Sequence, residues 1–176
     1  MSNTYTNLLF HIVYSTKYRK PLIKPAWQDD LYAYMGGIIR DSHGILLAAD
    51  GMANHVHLLA KLPPTIAVSD MLRLIKTNSS RWLRDRDDVS YFEWQEGYAA
   101  FSVSESQAAR VRQYIATQEQ HHGVWKFEDE YLGLLRKHNV PFDERYVFDE
   151  VTRLFSRGAQ FLAPPRVFVP GATNFG

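Results

Sequence analysis

The run Asn54-His55-Val56-His57-Leu58-Leu59 sets two histidines two positions apart among apolar neighbours. On a strand, successive side chains alternate between faces, so both imidazoles leave the same face about 7 Å apart at the backbone. That spacing can hold one metal ion. It also suits a strand with one packed and one solvated histidine, and the pair alone leaves both readings open. A second constellation lies downstream, in Val111-Arg112-Gln113-Tyr114-Ile115-Ala116-Thr117-Gln118-Glu119-Gln120-His121-His122. Helical spacing puts Tyr114, Gln118 and His121 on one face at i, i+4 and i+7. A phenol with a pKa of about 10 is a poor nucleophile at neutral pH, and a divalent cation would assist it by polarising the phosphate under attack. The alternative is an ordinary tyrosine on an amphipathic helix, and with ten tyrosines in the chain the residue type does not single out Tyr114.

Composition narrows the classes without choosing among them. The 176 residues, 45% hydrophobic and 22% charged, suit one globular domain. Twenty Lys and Arg against 19 Asp and Glu leave a net charge of +1, so any basic surface for nucleic acid is local. Zero cysteines exclude disulfide frameworks, thiolate nucleophiles and cysteine metal sites, leaving His and oxygen ligands for metal chemistry. No apolar run approaches the roughly 18 to 20 residues that span a bilayer, and the polar start MSNTYTN has no signal-peptide pattern, so the expectation is a cytoplasmic protein with no membrane partner.

The elements that must position these residues follow from patterning. Tyr5 to Thr16, rich in β-branched and aromatic residues, reads as a central strand. A basic, Pro-bounded connection from Lys17 to Pro25 leads to a helix over Ala26 to His43, with Gly44 as its C-terminal stop. Strands at Ile45 to Ala49 and His55 to Leu62 are expected to join through an Asp50-Gly51 hairpin turn. Ser69 is expected to cap a helix from Asp70 to about Arg84, followed by a charged loop (Asp85 to Asp88) and a last strand over Trp94 to Val103, interrupted by Gly97. Ser104 then caps a helix reaching His122, and another helix spans about Phe127 to His138. The order β-α-β-β-α-β-α predicts an α+β fold, a ferredoxin-like antiparallel sheet with helices packed on one face. Residues 1–150 form the expected single domain, and 151–176 an extended or disordered tail.

The NHVHLL strand, the opening LLFHIVYSTKYRK and the QYIATQEQHH helix together resemble the single-tyrosine HUH transposases. These are small insertion-sequence transposases, with relatives associated with repetitive extragenic palindromes. The likeness runs from about Tyr5 to Asp149 and includes EYLGLLRKHNVPFDERYV. It implies that His55-Val56-His57 is the HUH motif, that Tyr114 is the nucleophile, and that Gln118 is the third metal ligand beside His55 and His57. It further implies cleavage of single-stranded DNA at element ends through a 5′-phosphotyrosine, followed by rejoining with no nucleotide cofactor, recognition of DNA hairpins, and a homodimer. Whether Tyr114 serves its own or its partner's site stays open, as does the role of His121 and His122. A His, His, amide-oxygen set leaves positions on Mg²⁺ or Mn²⁺ for phosphate oxygens, and imidazole ligation favours Mn²⁺.

Phosphate contacts are expected from Lys17, Arg19, Lys20 and Lys24 in the basic connection and from Arg73, Lys76, Arg81 and Arg84 on the second helix. The competing reading is a non-enzymatic single-strand-binding module on the same fold, using exposed aromatic rings. Joint retention of His55, His57, Tyr114 and Gln118 argues against it. A two-histidine phosphodiesterase ranks lower, because His55-Val56-His57 is not a His-x-Ser/Thr motif.

Overall fold

The structure is a computed structural model and describes residues 3–86, 89–118 and 126–148. Residues up to Pro141 form one compact unit, and those from Phe142 onward a second, of which a short helix at Glu144–Val147 is described. The expected tail at 151–176 lies outside the described residues, as do His121 and His122.

The first unit is built on strands β1 (Leu8–Ser15), β2 (Ile45–Met52), β3 (His55–Leu62) and β4 (Ala99–Val103). They form one antiparallel sheet in the order β2-β3-β1-β4, the ferredoxin-like arrangement, with β1 central. Helices α1 (Pro25–Asp41) and α2 (Val68–Arg84) cover one face, burying Ile12 and Tyr14 of β1, Val56, Leu58 and Ala60 of β3, and Trp27, Leu31, Met35, Met71 and Ile75 of the helices in a single core. The alternate residues, His11, Val13 and Ser15 on β1 and His55, His57 and Leu59 on β3, are also buried, and they point the other way. There they meet α3 (Glu105–Ala116) and α4 (Phe127–Lys137), through contacts such as His11 with Tyr114 and His55 with Phe127. One-sided helix packing thus holds for α1 and α2 alone. Strands β1 and β3 are buried on both faces, apolar toward α1 and α2 and largely polar toward α3 and α4, and each face demands its own cover.

Several local expectations shift, each for a visible reason. Asp50-Gly51 is not the hairpin turn: both residues lie in β2, paired with His57 and Val56, and the turn falls at Ala53-Asn54. Gly51 is required by close approach, since a Cβ there would stand 2.2 Å from the backbone oxygen of His55. Helix α1 ends at Asp41, and the left-handed residue after it is His43 (φ 63°) rather than Gly44. Gly44 is instead squeezed, its would-be Cβ 2.8 Å from Ile39 Cγ2 and 2.9 Å from Lys61 O. Ser69 lies inside the first turn of α2, whose N-cap is Ala67. The last strand is shorter than expected: Trp94 makes only an isolated bridge to Thr16, and β4 begins at Ala99. Between them Lys76 Nζ donates to the carbonyls of Gln95 (3.1 Å), Glu96 (3.1 Å) and Gly97 (2.8 Å), fixing these residues as a loop. The α3 helix ends at Ala116 with Thr117 as its C-cap, Gln118 is again helical, and the rest of the expected span to His122 lies outside the described residues.

The Gly51 contact brings the two backbones together at His55 and Val56. Gly51→Ala is therefore expected to cost about 1–3 kcal/mol, the usual penalty of overpacking, seen as a lower urea midpoint at unchanged m-value.

Candidate active site

Antiparallel pairing of β1 with β3 sets Val13 opposite His57 and Ser15 opposite His55, so β1 presents His11 diagonally to His57 on the shared face. Both motif histidines are fully buried. His55 Nδ1 is 2.8 Å from Asn54 Oδ1, which can only accept from it, so this nitrogen carries a proton, and in the neutral ring Nε2 presents its lone pair. His57 Nδ1 is 3.0 Å from His11 Nε2, with the two rings stacked at 5.2 Å. Burial, then the neighbouring His57, push the His11 pKa down to about 3, so His11 is neutral at physiological pH.

The Nε2 atoms of His55 and His57 converge on one carboxylate oxygen, Glu130 Oε2, at 3.8 and 3.4 Å. The other oxygen, Oε1, accepts a hydrogen bond from the Tyr114 hydroxyl and one from Gln118 Nε2 at 3.2 Å. Burial works to raise the Glu130 pKa, but hydrogen bonding and charge from His57, with help from Tyr114 and His55, outweigh it and hold the carboxyl well below its usual range. Tyr114 moves the opposite way: burial, and then the bond to Glu130, push its phenol above the ordinary value and keep it protonated.

His55, His57 and Glu130 each offer one ligand atom, all within 4.8 Å of one another. Their chemistry fits a divalent cation, which accepts imidazole nitrogen and carboxylate oxygen and would neutralise a buried negative charge. All of this is assembled within one chain: the Tyr114 ring lies 6.0 Å from that of His57. Gln118, named from sequence as the third ligand, is buried, follows the end of α3 and donates from its amide nitrogen to Glu130 Oε1. Glu130, which sequence reasoning did not name, supplies a carboxylate to the two imidazoles. The sequence carried one unused signal for it, because Glu130 lies on the same helical stripe as the buried Phe127, Tyr131 and Leu134, where a carboxylate needs a reason to be.

The candidate phosphate contacts divide. Arg19 donates to Glu128 Oε1 at 2.8 Å, tying the basic connection to α4 near the site, and Lys17 lies 3.7 Å from Glu93. Lys20 and Lys24 are exposed. Arg73 and Arg84 border a cavity of about 470 Å³ between α2 and residues 93–98, and Arg81 is exposed. Lys76 differs from the rest: its ammonium is engaged with three loop carbonyls, and burial lowers its pKa to about 8. The α2 set therefore belongs to the helix layer across the sheet from the histidines.

A ferredoxin-like sheet presenting a buried His-hydrophobe-His pair to a tyrosine on a covering helix defines a nuclease-type site of the HUH class. Residues 4–118 match the family of IS200-like transposases, and the chain belongs to that family of DNA-cleaving and strand-transferring enzymes. It is 27% identical over 128 residues to the transposase for insertion sequence element IS200 of Salmonella typhimurium strain LT2, covering 67% of this chain and 81% of that protein. It is 26% identical over 121 residues to the ISDra2 transposase TnpA of Deinococcus radiodurans, covering 63% of this chain and 84% of that one. Among solved structures, a candidate transposase from Deinococcus radiodurans R1 superposes with a TM-score of 0.50 at 25% identity, covering 67% of this chain and 96% of the other. A REP-associated tyrosine transposase bound to a REP hairpin shares the fold with a TM-score of 0.50 at 14% identity, covering 100% of this chain and 98% of its own. The family match includes His55, His57, Tyr114 and Gln118 and ends before Glu130. Among the described residues no helix is long and apolar enough to cross a membrane.

For His57 to present Nε2 as a ligand, its Nδ1 proton must go to His11. His11→Ala is expected to weaken Mn²⁺ or Co²⁺ binding about 10- to 100-fold, with partial recovery in His11→Gln, whose amide oxygen can accept the same proton. Isothermal titration checks this without reference to catalysis.

Proposed function

We propose that this transposase cleaves and rejoins single-stranded DNA, with Tyr114 as nucleophile and His55, His57 and Glu130 as the cation-holding set. The observation that carries this reading is the convergence of the Tyr114 hydroxyl and two imidazole nitrogens on the single carboxylate of Glu130. The Tyr114 oxygen attacks the scissile phosphorus while its proton passes along the existing hydrogen bond to Glu130 Oε1. The bond from phosphorus to the 3′ oxygen breaks, that oxygen takes the proton back from Glu130 and leaves as a 3′-hydroxyl, and the chain keeps a 5′-phosphotyrosine. Attack by another 3′-hydroxyl reverses the step, so the bond energy is retained and no nucleotide cofactor is consumed. A divalent cation, Mg²⁺ or Mn²⁺, would polarise the phosphate and offset its charge against Glu130. Gln118 steadies the carboxylate and stands as a further ligand candidate.

The DNA substrate is proposed to carry hairpins, as the family resemblance implies and as a relative in fold binds in its own structure. Lys17, Arg19, Lys20 and Lys24 of the basic connection, which Arg19 ties to α4, and Arg73, Arg81 and Arg84 on α2 are the proposed phosphate contacts, with Lys76 acting chiefly on its loop. A homodimer is proposed on the same resemblance, each chain holding its own Tyr114 beside its own histidines. A binding module without catalysis would leave the buried carboxylate and phenol without a task.

Incubation of labelled hairpin DNA with Mn²⁺ should yield a denaturant-resistant protein–DNA band that Tyr114→Phe abolishes; full cleavage by that variant would remove Tyr114 as nucleophile. In the same assay Glu130→Gln should raise the metal concentration for half-maximal activity at least 10-fold, and Gln118→Ala by less. The reverse ranking would return the third-ligand role to Gln118.

A further inference from the structure

Beside the nucleophile a cavity of about 560 Å³ opens between α3 and α4, with Tyr114 and His11 at its inner end. Its size falls within the roughly 300–1,000 Å³ of small-ligand sites. Val103, Val111 and Leu134 line it with apolar surface, and Arg110 and Lys137, both exposed, stand among its lining residues. Neither cation forms an ion pair among the described residues. Gly133 contributes bare helix backbone, and a Cβ built there would meet nothing within 4 Å. A glycine inside a helix lowers helix stability, and here the missing side chain leaves the cavity open.

We infer that this cavity seats the unpaired base of a nucleotide adjoining the scissile phosphate, an inference that rests on the proposed strand-cleaving function. Apolar walls suit a base lifted out of its stack, and cations among the lining residues suit the phosphates on either side. A base held there would place its own phosphodiester at Tyr114, so the cavity orients the strand for attack. The family resemblance rests on the histidine and tyrosine motifs, whereas half of this cavity comes from α4, beyond the matched residues 4–118.

The test uses the full chain and 5′-deoxynucleoside monophosphates, titrated by amide NMR with inorganic phosphate as the control. At least one monophosphate should shift the Val103, Val111 and Gly133 amides at concentrations where phosphate alone does not. Gly133→Leu, which fills the cavity and favours the helix, should weaken that binding at least 10-fold while melting no lower than wild type. It should also slow formation of the covalent adduct on hairpin DNA at least 10-fold. Equal shifts with phosphate alone, or undiminished nucleotide binding in a folded Gly133→Leu protein, would overturn the base pocket. Adduct formation in wild type without nucleotide shifts would overturn the pocket and leave strand cleavage standing. Nucleotide shifts without any adduct would overturn strand cleavage and keep the cavity as a nucleotide site.

Discussion

A largely buried carboxylate facing two buried imidazole nitrogens is the constraint on which the rest of this molecule turns. An ionised group withdrawn from water costs several kcal/mol unless charge and hydrogen bonds compensate. Glu130 is compensated from three directions: His55 and His57 on β3, Tyr114 on α3, and Gln118 just beyond it. Its own helix, α4, must therefore dock on the sheet, and the stacking of Phe127 on His55 and of His138 on Phe101 holds it there. The site is thus also the glue between the sheet and its second helical layer.

The sheet divides the labour between its faces. The layer of α1 and α2 contains the larger apolar core, with Trp27, Tyr14, Met35 and Met71 among its buried members, and gives the strands a rigid backing. The opposite face carries polar chemistry within a closed environment, where electrostatic interactions are stronger than in water. Central strand β1 serves both layers: Ile12 and Tyr14 enter the core, while His11 orients His57. A one-residue slip of β1 against β3 would exchange these roles and dismantle core and site together.

Alternation on β1 and β3, the helical periods of α1, α2 and α4, and the element order were legible in the sequence because they depend on local spacing. So was the sharing of one strand face by His55 and His57, which the strand period fixes, while Tyr114 is named by the motifs that carry the resemblance. Turn positions were less legible. Asp50-Gly51 looks like a hairpin turn, yet Gly51 is demanded by contact with the His55 backbone, and a lysine on α2 cuts the last strand short by taking three carbonyls.

The sequence by itself determined that a paired-histidine strand, a tyrosine helix and a ferredoxin-like order coexist in one chain, because periodicity and motif are properties of neighbouring residues. Only the tertiary structure decided that helices cover both faces, that Lys76 serves a loop, and that His11 braces His57. It also decided that Glu130 brings a carboxylate to the two imidazoles. These outcomes rest on contacts across 12 to 75 residues of chain, where a carboxylate seeks the nearest positive or proton-donating partner in space. No local pattern records which side chains will meet there.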